Sequence, residues 1–354
     1  MAEPLVRGAL MKRIPPHKSE ALMHAASSQW RAIVPWLFGL AALAGVILVA
    51  SQYASLAKAL MIARAAGWRW LAVGCIVQTG TYVCAAAVWW CVLRAAGVPK
   101  KMRRLMRLGV AKVFTDQLLP SGGVSGNLLV IAGLLRRGVP ASVAMAAVLI
   151  GMMSFYAAYL GGAVAAALLL WLNGDRSSAL LGLMAAFIVL AVVLPSIVLW
   201  ARKLVARHLP GWASRMPSVV MLSRAMAEAP PILLRDPVVL MQATALQLGV
   251  FLLDSATLWL VLHGIGQTSP FWVAFVALIV ASIMATVGPM PLGLGTFEGG
   301  SVAMLHMLGV PMEAALAATL LQRALTFWLP MLPGLWLAHR ELKHGSQPAT
   351  SAAS

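Results

Sequence analysis

Pro289-Met-Pro-Leu-Gly-Leu-Gly-Thr-Phe-Glu-Gly-Gly300 cuts into an apolar run that begins at Phe271 and continues to Val287. Proline removes a backbone donor and glycine relaxes φ, so one continuous helix through this segment is not expected. Glu298 follows the break, then a short apolar helix to Leu308, then Gly309-Val-Pro311, then a full apolar span carrying Gln322-Arg323. Broken backbone at membrane depth survives only where protein buries it or a wet cavity meets it. A charge placed there is a functional hypothesis by default.

The pattern occurs twice. A gapless shift of 171 residues lays Pro120 on Pro291, Gly122 on Gly293, Asn127 on Glu298, and Gly138-Val-Pro140 on Gly309-Val-Pro311. Between 120 and 150 this register gives 11 identities in 31 positions. Ala and Leu are common here, so the two prolines, two glycines and one valine carry the weight. Matching interruptions in two halves of an apolar chain point to a transporter-type site.

Composition agrees with a membrane setting. The chain of 354 residues is 61% apolar and only 10% charged, which excludes a soluble domain. The net charge of +17 does not mark a nucleic-acid binder, because Lys and Arg lie in connections beside apolar segments. There they orient the spans and meet anionic lipid. Cys75, Cys84 and Cys91 share one apolar segment and read as free thiols, and no spacing suggests a metal or another cofactor.

The expected architecture is all-α and polytopic, with about six full spans and two re-entrant broken-helix hairpins in an inverted repeat. Residues 1–32 form a polar, basic cytoplasmic N-terminus. Residues 33–338 form the transmembrane domain, and 339–354 a cytoplasmic tail. Full spans are expected at 33–51, 70–93, 139–172, 180–200, 237–262 and 314–338. An amphipathic helix is expected over 53–69, with Trp89 and Trp90 at an interface level. The repeat halves are about 70–172 and 237–338, joined through a basic cytoplasmic loop at 202–236. The first hairpin pairs 105–119 with 124–135, and each arm is too short for a core that takes about 20 helical residues. This topology puts 22 of the 27 Lys and Arg on the cytoplasmic side, leaving Lys58, Arg64, Arg69 and Arg176 outside and Arg323 in the membrane. The two hairpins then open from opposite faces, with their tips expected to meet near the midplane.

Leu119-Pro-Ser-Gly-Gly123, Arg137-Gly-Val-Pro140, Pro291-Leu-Gly-Leu-Gly-Thr-Phe-Glu298, Leu308-Gly-Val-Pro311 and Arg323 together resemble the lysylphosphatidylglycerol synthase transmembrane region, the flippase-like family. The resemblance covers roughly Val34 to Ala338. It implies a bacterial inner-membrane protein that moves or handles polar-headed lipids, with phospholipid, glycolipid and hopanoid pathways as its setting. Two departures stand out. No soluble lysyl-transfer domain is expected in a chain ending at Ser354, which removes aminoacyl-lipid synthesis. Asn127 also stands where many members carry an acidic residue, so the two hairpins are not expected to contribute equally.

Glu298 and Arg323 are the sharpest candidates, as a lipid head-group or proton site or as a structural ion pair. Gly122, Gly123, Gly293 and Gly295 allow close backbone approach to an anionic group, or tight helix packing. Gln322 adjoins Arg323. Asp116 follows Lys112 by four residues and reads as a local helix pair. Asp254 either faces a cavity or bonds Gln247, Asn127 reads as a polar contact across helices, and His306 as a packed residue. No paired carboxylates or nucleophile set appear, so an enzyme is not expected. The function that fits is flippase-like translocation or handling of a polar-headed lipid, with anionic or glycosylated membrane lipids as partners. The alternatives are an integral-membrane enzyme on a lipid-linked substrate, and a scaffold that docks a lipid-biosynthesis enzyme through 202–235.

Overall fold

The structure is a computed structural model that describes residues 53–118, 124–173, 182, 185, 230–287 and 295–329. The expected spans at 33–51 and 180–200, both tails and nearly all of the 202–236 loop lie outside the described residues. The chain divides into two compact units, 1–57 and 58–354, and the fold below is that of the second. Its helices are the part of α1 (Tyr53–Arg64) from Lys58 onward, α2 (Trp68–Ala95), α3 (Met102–Leu118), α4 (Val124–Arg136), α5 (Ala141–Leu172), α6 (Pro237–Gly264), α7 (Phe271–Val287), α8 (Thr296–Met307) and α9 (Met312–Arg323). A one-turn helix, Pro231–Leu234, precedes α6, and a π-turn, Ala324–Trp328, follows α9. No strand occurs among the described residues.

Local sequence sets the ends. Asp236 caps α6 by accepting from the amides of Val238 (2.9 Å) and Val239 (3.3 Å), with Pro237 at the first helical position. The helices α4 and α8 stop at Gly138 and Gly309, which take φ +70° and +90°. The next amide reaches five residues back in each case: Val139 to the carbonyl of Leu134 (3.1 Å) and Val310 to that of Leu305 (3.0 Å). Only glycine enters that backbone region without strain, and the following proline keeps the helix from resuming. Gly138→Ala and Gly309→Ala are each expected to cost about 1–2 kcal/mol. Chemical unfolding in detergent micelles, with Gly161→Ala as a control whose new Cβ meets open space, checks it.

The repeat extends through whole elements. Shifted by 171, the starts of α2, α3, α4 and α5 fall within two residues of the starts of α6, α7, α8 and α9. Pro140 and Pro311 share φ −55°, with ψ 143° and 142°. The two halves are built alike and run opposite ways. Gly67 bonds Gly264, Gln78 bonds Asp254 and Thr81 bonds Asp254, so residue numbers fall along α6 as they rise along α2. The counterpart helices α2 and α6 are therefore antiparallel along their length, as an inverted repeat requires.

Each hairpin occupies its own end of this pair. The α3–α4 pair packs with Val92 and Leu93 of α2 and Val239 and Ala243 of α6. The α7–α8 pair packs with Leu258, Val261 and Leu262 at the other end of α6. Ser125 of α4 donates to the carbonyl of Thr115 in α3 at 3.2 Å, closing the first pair near its break. In the second, a Cβ on Gly300 would lie 3.0 Å from Met284 and 3.2 Å from Ala281, so glycine permits the close crossing. One arm of each hairpin, α4 in the first and α7 in the second, packs on α5. Their tips, 119–123 and 288–294, and hence their expected meeting, lie outside the described residues.

The hairpins differ in burial. Val273 to Ala281 of α7 are buried at every position, so protein surrounds that arm. Among the described side chains of α3, burial falls on a stripe of Leu105, Leu108, Gly109, Ala111 and Phe114, because Arg103, Arg104, Arg107 and Lys112 need polar surroundings. Helices α2, α5 and α6, with 28, 32 and 28 residues, are long and apolar enough to cross a membrane. The outermost apolar side chains include Trp68, Ile76, Met241 and Trp171. Trp89 is 7% exposed and packs among the core residues of the first hairpin.

Candidate functional site

Glu298 sits in the first turn of α8, and Arg323 ends α9. One carboxylate oxygen, Oε1, accepts from Arg323 Nε at 2.7 Å, and Oε2 accepts from the Gly295 amide at 2.7 Å. Gly295 holds φ +81°, which turns its N–H back toward the glutamate. The Arg323 guanidinium lies 4.1 Å from the Phe297 ring centroid, a cation–π arrangement. The two side chains are 15% and 22% exposed. Both carboxylate oxygens are engaged and the cation is covered, so the pair ties the second hairpin to the last helix. Deeper between α8 and α9, Ser301 and Thr319 share a buried 2.9 Å hydrogen bond. Gln322 is 1% exposed and its Oε1 has no hydrogen-bond partner.

The repeat register shows what occupies the same place in the first half. Glu298 maps to Asn127, Gln322 to Gly151, and Arg323 to Met152. All three line one cavity of about 430 Å³. Where the second half fills the space between hairpin and long helix with an amide and an ion pair, the first half leaves it empty. Lys112, Gln247, Tyr82, Tyr156 and Trp89 also line it. Gln247 donates weakly, at 3.5 Å, to the Gly151 carbonyl, and the Tyr82 hydroxyl is buried without a partner. An apolar cavity with a few convergent polar groups and one cation suits a ligand that is part hydrocarbon and part anion.

A third polar cluster lies where α2 crosses α6. Asp254 accepts from Gln78 Nε2 (3.2 Å) and Thr81 Oγ (3.3 Å), while Thr257 donates to Gln78 Oε1 (3.2 Å). This corrects the expected Asp254–Gln247 bond: Gln247 is seven residues away, on another turn of α6, and faces α5 instead. Tyr82 lines the large cavity and also a smaller one, about 200 Å³, bounded by Gln78, Val110 and Leu325.

Of the residues singled out from sequence, the fold brings Glu298, Arg323 and Gly295 into one network. Asn127 lies in the counterpart cavity and Asp254 at the helix crossing. Gly122, Gly123 and Gly293, and the Asp116 side chain, lie outside the described residues. His306 bonds the Val310 carbonyl at 3.1 Å, a packed position as expected. The sequence reading missed Gln78, Thr81, Tyr82 and Met152, and named Gln247 only as an alternative partner of Asp254. The register held the signal for Met152, since it maps Arg323 onto a neutral residue. The others have no charge to mark them.

A search of curated proteins found no match. The sequence profile of the lysylphosphatidylglycerol synthase TM region matches residues 36–334, most of the chain. With its apolar antiparallel helices and paired interruptions, this chain belongs to the lysylphosphatidylglycerol synthase TM region family, as an integral membrane protein of a lipid-handling family.

Proposed function

We propose that this protein moves a polar-headed lipid between leaflets of the bacterial inner membrane, as a transporter rather than an enzyme. The observation that supports it most is the first-half cavity: amide, phenol and ammonium groups beside apolar walls, at the place the second half seals with an ion pair. A lipid has that mixed chemistry, and Lys112 favours an anionic head group. Antiparallel counterpart helices supply the framework for rocking one half against the other. In this reading the two hairpins are re-entrant from opposite faces, both termini are cytoplasmic, and membrane lipids are the partners.

Reconstitution tests it. Vesicles holding the protein and a head-group-labelled phosphatidylglycerol are expected to exchange label between leaflets faster than protein-free vesicles. Lys112→Gln is expected to reduce the preference for anionic over neutral lipid several-fold. Absence of exchange with anionic and glycosylated lipids alike overturns transport. Turnover of a lipid-linked substrate would then favour the enzyme, and a lipid-pathway enzyme captured through 202–235 the scaffold.

A further inference from the structure

Asp254 is the only acidic residue in the three long apolar helices. Both of its hydrogen bonds converge on Oδ1, from the Gln78 amide and the Thr81 hydroxyl. Thr257 holds the Gln78 amide in that orientation. The other oxygen, Oδ2, accepts no hydrogen bond among the described residues, and the residue is only partly buried. No cation among the described residues pairs with it.

The groups around it do not supply a countercharge. Helix α2 offers Gln78, Thr81 and Tyr82, with Arg69 and Arg94 near its ends. Helices α5 and α7 contain no Asp, Glu, Lys, Arg or His; the α5 hydroxyl Tyr159 lies within 3.4 Å of Thr286. On α9, Glu313 lies 3.6 Å from Lys58, and Arg323 holds Glu298. On α6 itself, His263 bonds the Trp259 carbonyl. An ionised carboxylate in an apolar span without a cation costs several kcal/mol, which binding a cation removes.

Its position links it to the fold's symmetry. Thr81 maps to position 252 in the repeat and itself touches Asp254. The carboxylate therefore sits where the counterpart helices cross, beside the pseudo-two-fold axis. A change of charge there acts on the interface between the halves, the surface that a rocking motion must shear.

We propose that Asp254 is a proton-binding site whose occupancy sets the relative position of the two halves. Oδ2 takes a proton from hydronium, forming one O–H bond and releasing water, and returns it to water on the other side of the cycle. The proton site stands on the Asp254 cluster alone; only its coupling to lipid rests on the transport reading.

Infrared difference spectra of the full chain in lipid nanodiscs, recorded across pH, test the site. The wild type is expected to show a protonated-carboxyl C=O band, shifted in D2O, that Asp254→Asn removes. Gln78→Leu keeps the carboxylate but deletes one donor to its charged form, so proton affinity is expected to rise about tenfold. No such band in the wild type, or a band that neither variant alters, overturns the proposal. In vesicles, wild-type lipid exchange is expected to differ several-fold between opposite pH gradients, and Asp254→Asn exchange not at all. A titrating band with no lipid exchange upholds the proton site and rejects transport. Exchange that follows a Na+ gradient and ignores pH overturns proton coupling.

Discussion

Arg323→Met and Glu298→Asn are each expected to lower the stability of the protein in detergent by about 2–3 kcal/mol, and the double variant by less than either. These are the residues that the first half carries at the matching positions, so neither substitution is foreign to this framework. Removing the guanidinium leaves Glu298 facing apolar surroundings with only the Gly295 amide. Removing the carboxylate leaves a cation over the Phe297 ring without its 2.7 Å partner. Removing both restores neutrality, and the remaining loss is packing. Fully buried pairs lose more, about 3–5 kcal/mol, when one partner goes, and the partial exposure here reduces that. A double-mutant cycle by chemical unfolding gives the coupling. Additive losses would mean that the two side chains act separately.

The reciprocal change should act on transport instead of stability. Asn127→Glu with Met152→Arg places the second half's ion pair at the matching point of the first, across the 430 Å³ cavity. Stability is expected to hold or rise, because the pair joins α4 to α5 as Glu298 and Arg323 join α8 to α9. Lipid exchange is expected to fall at least tenfold, since the new side chains occupy the cavity and neutralise each other. Each single variant should be less stable than the double, having one charge in an apolar wall. Wild-type exchange by a folded double variant would show that the lipid does not pass through this cavity.

Both predictions depend on a register visible without coordinates. The 171-residue shift, the doubled Gly-Val-Pro and the paired interruptions fix an all-α membrane fold with two equivalent halves, because proline and glycine constrain the backbone locally wherever they occur. The same features marked Glu298 and Arg323, since charges are rare in apolar segments. Three other matters were settled only by the tertiary structure. It showed that Glu298 and Arg323 spend their charges on each other and on Gly295, 25 and 28 residues apart from Arg323 in sequence, through side-chain reach that no periodicity encodes. Gly151 and Met152, unremarkable as letters, leave a cavity because of what α3 and α4 place opposite them. Asp254 turned from Gln247 on its own helix to Gln78 and Thr81 on the antiparallel counterpart, 176 and 173 residues away, because the crossing of α2 and α6 brings their neutral donors within reach. Sequence determines where a backbone must bend and which segments avoid water; the partner that each polar group finds depends on how the helices cross.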